Sequence, residues 1–227
     1  MTASPAFQIA TCSRREAERI LSSPAELLNR FSEEEAVEIT GLGQRRRLDR
    51  VGGRVAAKNA LREHFSTVCG WSPAERQLEI FNAPDGRPLL RLPAGAPAQA
   101  PSFSISHCSH GAAAAVASPG RHVGVDMETI APRPLSVLAF VSTDEERTAA
   151  ESWDVEAQTK LWTGKEAVLK LFGLGLNADA RNVRPQGETA ALSGLPGQAW
   201  RRLGSPRVRL AYQRRSDVML AVAYTGD

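Results

Sequence analysis

At 227 residues, 42% of them hydrophobic and 23% charged, the chain has the make-up of a globular protein, one large domain or two of about a hundred residues. No apolar run approaches the ~20 residues of a membrane span, and the opening Met1 to Phe7 lacks the basic and apolar regions of a signal peptide. Three cysteines, Cys12, Cys69 and Cys108, without a framework spacing point to reduced thiols in a cytoplasm. The net charge of +3 suits a polyanionic ligand or an acidic protein partner and is too small to single out nucleic acid.

Residues 13–40 read as amphipathic helical material, with Ser32 and the acids Glu33, Glu34 and Glu35 as an N-cap and first turn. A basic stretch from Arg45 to Arg50 leads into a helix with small residues on one side. Gly52 and Gly53 would let the backbone come close to a phosphate, and Arg50 and Arg54, a turn apart, face the same way; a charged helix surface is the alternative. Residues 78–81 form a strand, Asn82 to Pro88 is turn chemistry throughout, and residues 89–92 continue extended. The Pro/Ala/Gly-rich run 93–101 is a surface loop.

Three short strands are then expected as an antiparallel meander. In the first, strict alternation puts Phe103, Ile105 and His107 on one face and Ser102, Ser104 and Ser106 on the other. The second is alanine-rich, from Ala112 to Ala117. The third, His122 to Glu128, sets Val123, Val125 and Met127 against Gly124, Asp126 and Glu128. Its two carboxylates stand about 7 Å apart on one side. Such a pair repels unless a cation sits between, and a hard divalent ion such as Mg²⁺ would fill that role. Two ordinary surface acids at a strand end are the alternative.

Ser142 to Arg147 resembles a helix start with a capping box from Ser142 to Glu145. Thr159 to Phe172 is mostly apolar and rich in helix formers; Gly173 ends it, and Gly175 forbids a second helix at once. Trp162, Glu166 and Lys170 fall on one ridge. An exposed Glu–Lys pair at this spacing contributes only about 0.2–0.5 kcal/mol, but these charges lie in an apolar stretch, where desolvation sharpens their chemistry. Three of the four lysines of the chain, Lys160, Lys165 and Lys170, sit here, which suggests that a compact ammonium is needed. The last fifty residues read mainly as β, with a hairpin of 208–212 and 218–224 that covers one side of this helix.

Taken together, Gly124 to Glu128, Trp162 to Lys170 and Gly173 to Leu176 closely resemble the 4′-phosphopantetheinyl transferases of the larger, surfactin-synthetase-activating type. Upstream, Asp85 to Pro88 is similar to that family's Gly-Lys-Pro turn, with Arg87 in the place of lysine. Ser104 to His107 is similar to its Asn-x-Ser-His strand, and Gly53-Arg54 falls in its basic helix. The resemblance implies an α+β fold of two similar halves related by a pseudo-twofold, with the active site in the cleft between them. Residues 1–121 would then hold phosphates of coenzyme A and 122–227 the metal and catalytic groups.

It implies transfer of the phosphopantetheine arm of coenzyme A to a serine of an acyl or peptidyl carrier protein, with Mg²⁺ as cofactor. Asp126, Glu128 and Glu166 would be the metal ligands, and Glu166 also the base. Lys170, or Lys165, would stabilise the departing phosphate. Arg50, Arg54, Arg87, Ser106, His107 and Lys165 would contact coenzyme A. A two-half chain needs no partner to complete its site, which predicts a monomer. Neither nucleic acid nor a membrane is expected as partner, since no aromatic platform accompanies arginines 45–54 and no apolar run is long enough to span. A non-catalytic regulator with the same fold, binding coenzyme A or a carrier, is the alternative. A zinc site on His107, Cys108 and His110 does not match usual ligand spacings.

Overall fold

The computed structural model describes residues 6–150 and 153–226, the side chains of Leu135, Ala150 and Leu176 excepted. Met1 to Pro5, part of the opening read above, lie outside the described residues. The fold is mixed α and β, and the chain divides into two compact units, Met1–Gly120 and Arg121–Asp227.

The first unit starts with a strand, β1 (Phe7–Ser13), where no element was expected; it ends where the expected helical stretch begins. Three short helices follow: α1 (Arg14–Leu21), α2 (Pro24–Arg30) and α3 (Glu33–Gly41). Ser32 and Glu35 close a capping box on α3. The basic stretch and the glycines then merge into one long helix, α4 (Gln44–Cys69), stopped at Gly70 in the left-handed region. After it come the hairpin β2 (Glu79–Asn82) and β3 (Pro88–Arg91), then β4 (Phe103–Cys108) and β5 (Gly111–Ala117).

The sheet order is β1-β5-β4, all antiparallel. Every residue of β5 is buried, and alanine there lets α4 lie close across the sheet. Gly52 and Gly53 serve that packing. A β-carbon at Gly53 would come within 2.9 Å of Ile105, and one at Gly52 would meet Ala112. Mid-helix, their amides are already committed to the helix ladder, so the expected backbone cradle for phosphate is not formed there.

The second unit opens with β6 (Val123–Thr129), which pairs with β10 (Val218–Gly226) and not with β5. The expected meander therefore stops at two strands. Helices α5 (Leu135–Val141) and α6 (Asp144–Ala150) lead to the central helix α7 (Val155–Leu171). The box at the start of α6 lies one residue later than expected: Glu146 N donates to Thr143 Oγ1, and Thr143 N to the Glu146 carboxylate. Helix α7 begins earlier than its apolar run, because Asp154 caps it by accepting from Ala157 N.

At its other end Leu174 N bonds back to Leu169 O, with Gly173 at φ 66°. A single 3₁₀ turn, Gly175–Asn177, forms where no helix was expected. β7 (Val183–Gln186), β8 (Thr189–Leu192), α8 (Gly194–Arg202) and β9 (Arg207–Arg215) complete the unit. The five strands run β6-β10-β9-β8-β7. The terminal hairpin is longer and its turn tighter than expected, with Ser216 at φ 54° and Asp217 between Arg215 and Val218.

Helix α7 is pressed onto this sheet at two glycines. A β-carbon at Gly124 on β6 would collide with the Ala167 carbonyl and the Leu171 amide. A β-carbon at Gly164 on α7 would collide with the Tyr212 hydroxyl on β9. The core beneath holds Ala167, Val168, Leu169, Val183, Leu210 and Ala221, with Trp162 and Tyr212 partly buried against it.

Candidate active site

The close approach at Gly124 brings the next same-face residue of β6, Asp126, against α7. Asp126 is 3% exposed and Glu166 is 7% exposed. Lys170, one turn beyond Glu166 on α7, donates to Asp126 Oδ1 at 2.7 Å. Burial, then the Asp126 and Glu128 charges, push the Glu166 carboxyl up to about 7, with Lys170 acting the other way. Glu128 is also raised, chiefly by burial and then by Asp126. The three carboxylates thus sense one another across β6 and α7.

Two of them are held by cations of the chain itself. Besides the Lys170 contact to Asp126, Arg133 Nη2 donates to Glu128 Oε2 at 2.8 Å, while its Nη1 reaches Thr159 Oγ1 at 2.9 Å. The same guanidinium lies 5.4 Å from the centre of the Trp162 ring. Arg133 was not singled out from sequence, since it lies in a Pro-rich connection with no periodicity. Among the described residues no three His, Cys, Asp or Glu side chains converge closely enough to hold a metal ion. The expected convergence of three acids on one point is therefore not formed. Carboxylates crowded in a buried corner repel, and Lys170 and Arg133 settle against two of them. Each of the three is a hard oxygen donor of the kind Mg²⁺ takes, and to close on one ion Asp126 and Glu128 would have to exchange Lys170 and Arg133 for it.

Lys165 takes no part in this cluster. It is 0% exposed, and its ammonium donates to Glu146 Oε2 at 2.7 Å, Val141 O at 2.8 Å and Ala180 O at 3.3 Å. It is a buried cross-link between α7, α5 and α6, not a group reaching for a phosphate. Burial lowers its pKa, against the opposing pull of Glu146. Glu145 is 83% exposed on its side chain and faces Arg184.

The first unit carries a basic pocket of about 400 Å³, lined by Arg46, Arg50 and Arg54 of α4, Asn82 and Gly86 of the β2–β3 turn, and Ile105 and His107 of β4 among others. The alternation expected for β4 places Ile105 and His107 here. Ser106 points to the other face, is 5% exposed and does not line the pocket. Arg87, at the turn, is exposed and paired with Asp85 at 2.7 Å.

Arg54 is the deepest cation, 2% exposed, with Nη2 on Glu38 Oε2 at 2.6 Å and no hydrogen-bond acceptor for Nε or Nη1. Glu38 Oε1 lies 3.0 Å from Arg50 Nη1. Burial and the neighbouring Arg54 charge lower the Arg50 pKa, and Glu38 opposes them.

Residues 122–199 match the 4′-phosphopantetheinyl transferase superfamily. That stretch contains Asp126, Glu128, Arg133, Glu166 and Lys170, the whole acid–cation cluster. The chain is also 28% identical, over 141 residues, to a candidate 4′-phosphopantetheinyl transferase of Synechocystis sp.; the match covers 58% of this chain. It spans 56% of the length of that curated relative. Among solved structures, a holo-(acyl-carrier-protein) synthase of Bacillus anthracis in complex with coenzyme A matches at 25% identity and a TM-score of 0.40. That match covers 49% of this chain and 92% of the synthase. An acyl carrier protein synthase of Plasmodium yoelii with ADP bound matches at 16% identity and a TM-score of 0.41, over 46% of this chain and 93% of the other. No helix among the described residues is long and apolar enough to cross a membrane.

Proposed function

We propose that this protein transfers the 4′-phosphopantetheine arm of coenzyme A to a serine hydroxyl of an acyl or peptidyl carrier protein, as a transferase of the surfactin-synthetase-activating type. The observation that carries this is geometric: buried Asp126 on β6 meets Lys170 of α7 at 2.7 Å, and buried Glu166 lies one helical turn before that lysine. A carboxylate so placed is the kind of group that can take a serine proton. The superfamily match over 122–199 spans these residues and supports the reading.

Asp126, Glu128 and Glu166 would hold Mg²⁺, which when bound neutralises charge on the diphosphate of coenzyme A. Glu166 takes the proton of the carrier serine. The serine oxygen then attacks the pantetheine-side phosphorus in line, forming the new phosphodiester. The bond from that phosphorus to the bridging oxygen breaks, and adenosine 3′,5′-bisphosphate leaves with the bonding pair. Lys170 stabilises the oxygen that departs. In the first unit, Arg54, Arg50 and His107 would take the 3′-phosphate end, since the buried Arg54 guanidinium keeps N–H groups with no acceptor. Arg87 would need to leave Asp85 to contribute.

Intact-protein mass spectrometry of apo fatty-acid, polyketide and peptide carriers, incubated with the protein, coenzyme A and Mg²⁺, tests this. The expected result is a gain of one phosphopantetheine on at least one carrier, abolished by EDTA. Tight coenzyme A binding with no carrier modified would favour a non-catalytic regulator.

A further inference from the structure

We infer that Glu38 is a built-in competitor for the anion bound in the α4 pocket, and that it thereby sets how tightly the 3′-phosphate is held and how readily it leaves. This rests on the assignment of that pocket to the 3′-phosphate of coenzyme A.

The two acids of α3 that face α4 are held very differently. Glu35 is 4% exposed and locked, accepting from Ser32 N, Lys58 Nζ and Ile80 N. Glu38, one turn later, has a side chain 42% exposed and meets the guanidinia of Arg50 and Arg54. A single carboxylate therefore bridges two arginines of the pocket lining, 3.0 Å from one and 2.6 Å from the other.

Two guanidinia a turn apart on one helix repel, and an anion between them relieves that repulsion. Glu38 is the anion the chain sets between the two; the locked Glu35 carboxylate lies 3.9 Å from Arg54 Nε, beyond hydrogen-bond reach. It is a poor final occupant, because Arg54 Nε and Nη1 still lack acceptors with Glu38 in place. A phosphate, with three terminal oxygens and up to two charges, can satisfy them. Its half-exposed side chain lets Glu38 swing to water when displaced, whereas the buried Arg54 cannot follow.

Binding that must first displace an internal group is weakened by the fraction of molecules in which that group is already out. Glu38 thus lowers affinity without touching the reacting atoms, and it hastens departure of the bisphosphate product by re-occupying the arginines.

Isothermal titration of the full chain with adenosine 3′,5′-bisphosphate and with adenosine 5′-monophosphate tests this in the wild type, Glu38→Gln, Glu38→Ala and Arg54→Ala. The expected result is tighter bisphosphate binding by about fivefold to tenfold in both Glu38 variants, with slower dissociation in stopped flow and little change for the monophosphate. Unchanged or weaker bisphosphate binding in both would overturn the competitor role and make Glu38 a positioning residue for Arg54. An equal gain for both nucleotides would reduce the effect to general charge and overturn it as well. Bisphosphate binding indifferent to Arg54→Ala would instead remove the pocket assignment itself, and Glu38 with it.

Discussion

Lys170 Nζ lies 2.7 Å from Asp126 Oδ1, joining the last turn of the central helix to the strand that opens the second unit. The Asp126 side chain is only 4% exposed and that of Lys170 26%, so the contact is screened far less than a surface pair. Removing one partner leaves a buried charge poorly compensated. Lys170→Met should therefore destabilise the fold by about 2–4 kcal/mol, read from urea unfolding. Adding Asp126→Asn should recover part of that loss. A Lys170→Met protein as stable as wild type would show that the contact carries no weight in the fold.

Gly124 makes this contact possible, since any side chain there would meet the backbone of α7 at Ala167 and Leu171. Gly124→Ala should separate helix and strand, costing about 3 kcal/mol or more and removing transfer activity. Gly41→Ala, with open space around its β-carbon, is the control and should be close to neutral. Equal stability of the two variants by thermal unfolding would contradict the packing described.

His64 supplies a pH dependence away from the acids. It is 3% exposed, its Nδ1 is 3.4 Å from Gln8 Oε1, and burial lowers its pKa. The unfolded chain therefore takes up this proton at higher pH than the folded one. Stability from this group is full above the unfolded value of about 6.5 and falls as pH drops through that value toward the folded pKa. His64→Gln should flatten the stability profile on the acid side of about pH 6.5. An unchanged slope in urea titrations across that range would mean His64 is not its source.

Much of the second unit was legible because its signals are local. Period two in β6 puts Asp126 and Glu128 on one side, and the spacing of Glu166 and Lys170 puts them on one ridge. Which cation each acid meets is not local: Arg133 reaches Glu128 from a connection, and Lys165 is turned toward Glu146 and Val141 by elements nineteen and twenty-four residues away in sequence. In the first unit, β1 escaped notice because its alternation is weak and its pairing partner, β5, lies about a hundred residues downstream. Glu38 was hidden in the same way, its partner Arg54 being sixteen residues on. The cap at α6 slipped by one residue because Ser142 and Thr143 are both N-cap formers, and only packing chooses between them.

The central claim concerns Glu166 as the group that accepts the proton, and one substitution separates that role from binding. Glu166→Gln keeps the size of the side chain and removes its basicity. In single-turnover transfer from coenzyme A to an apo carrier, measured beside coenzyme A titration on the same protein, the variant should lose at least about a hundredfold in rate. Its coenzyme A affinity should stay within a few-fold of wild type. Transfer at the wild-type rate by Glu166→Gln would contradict the account.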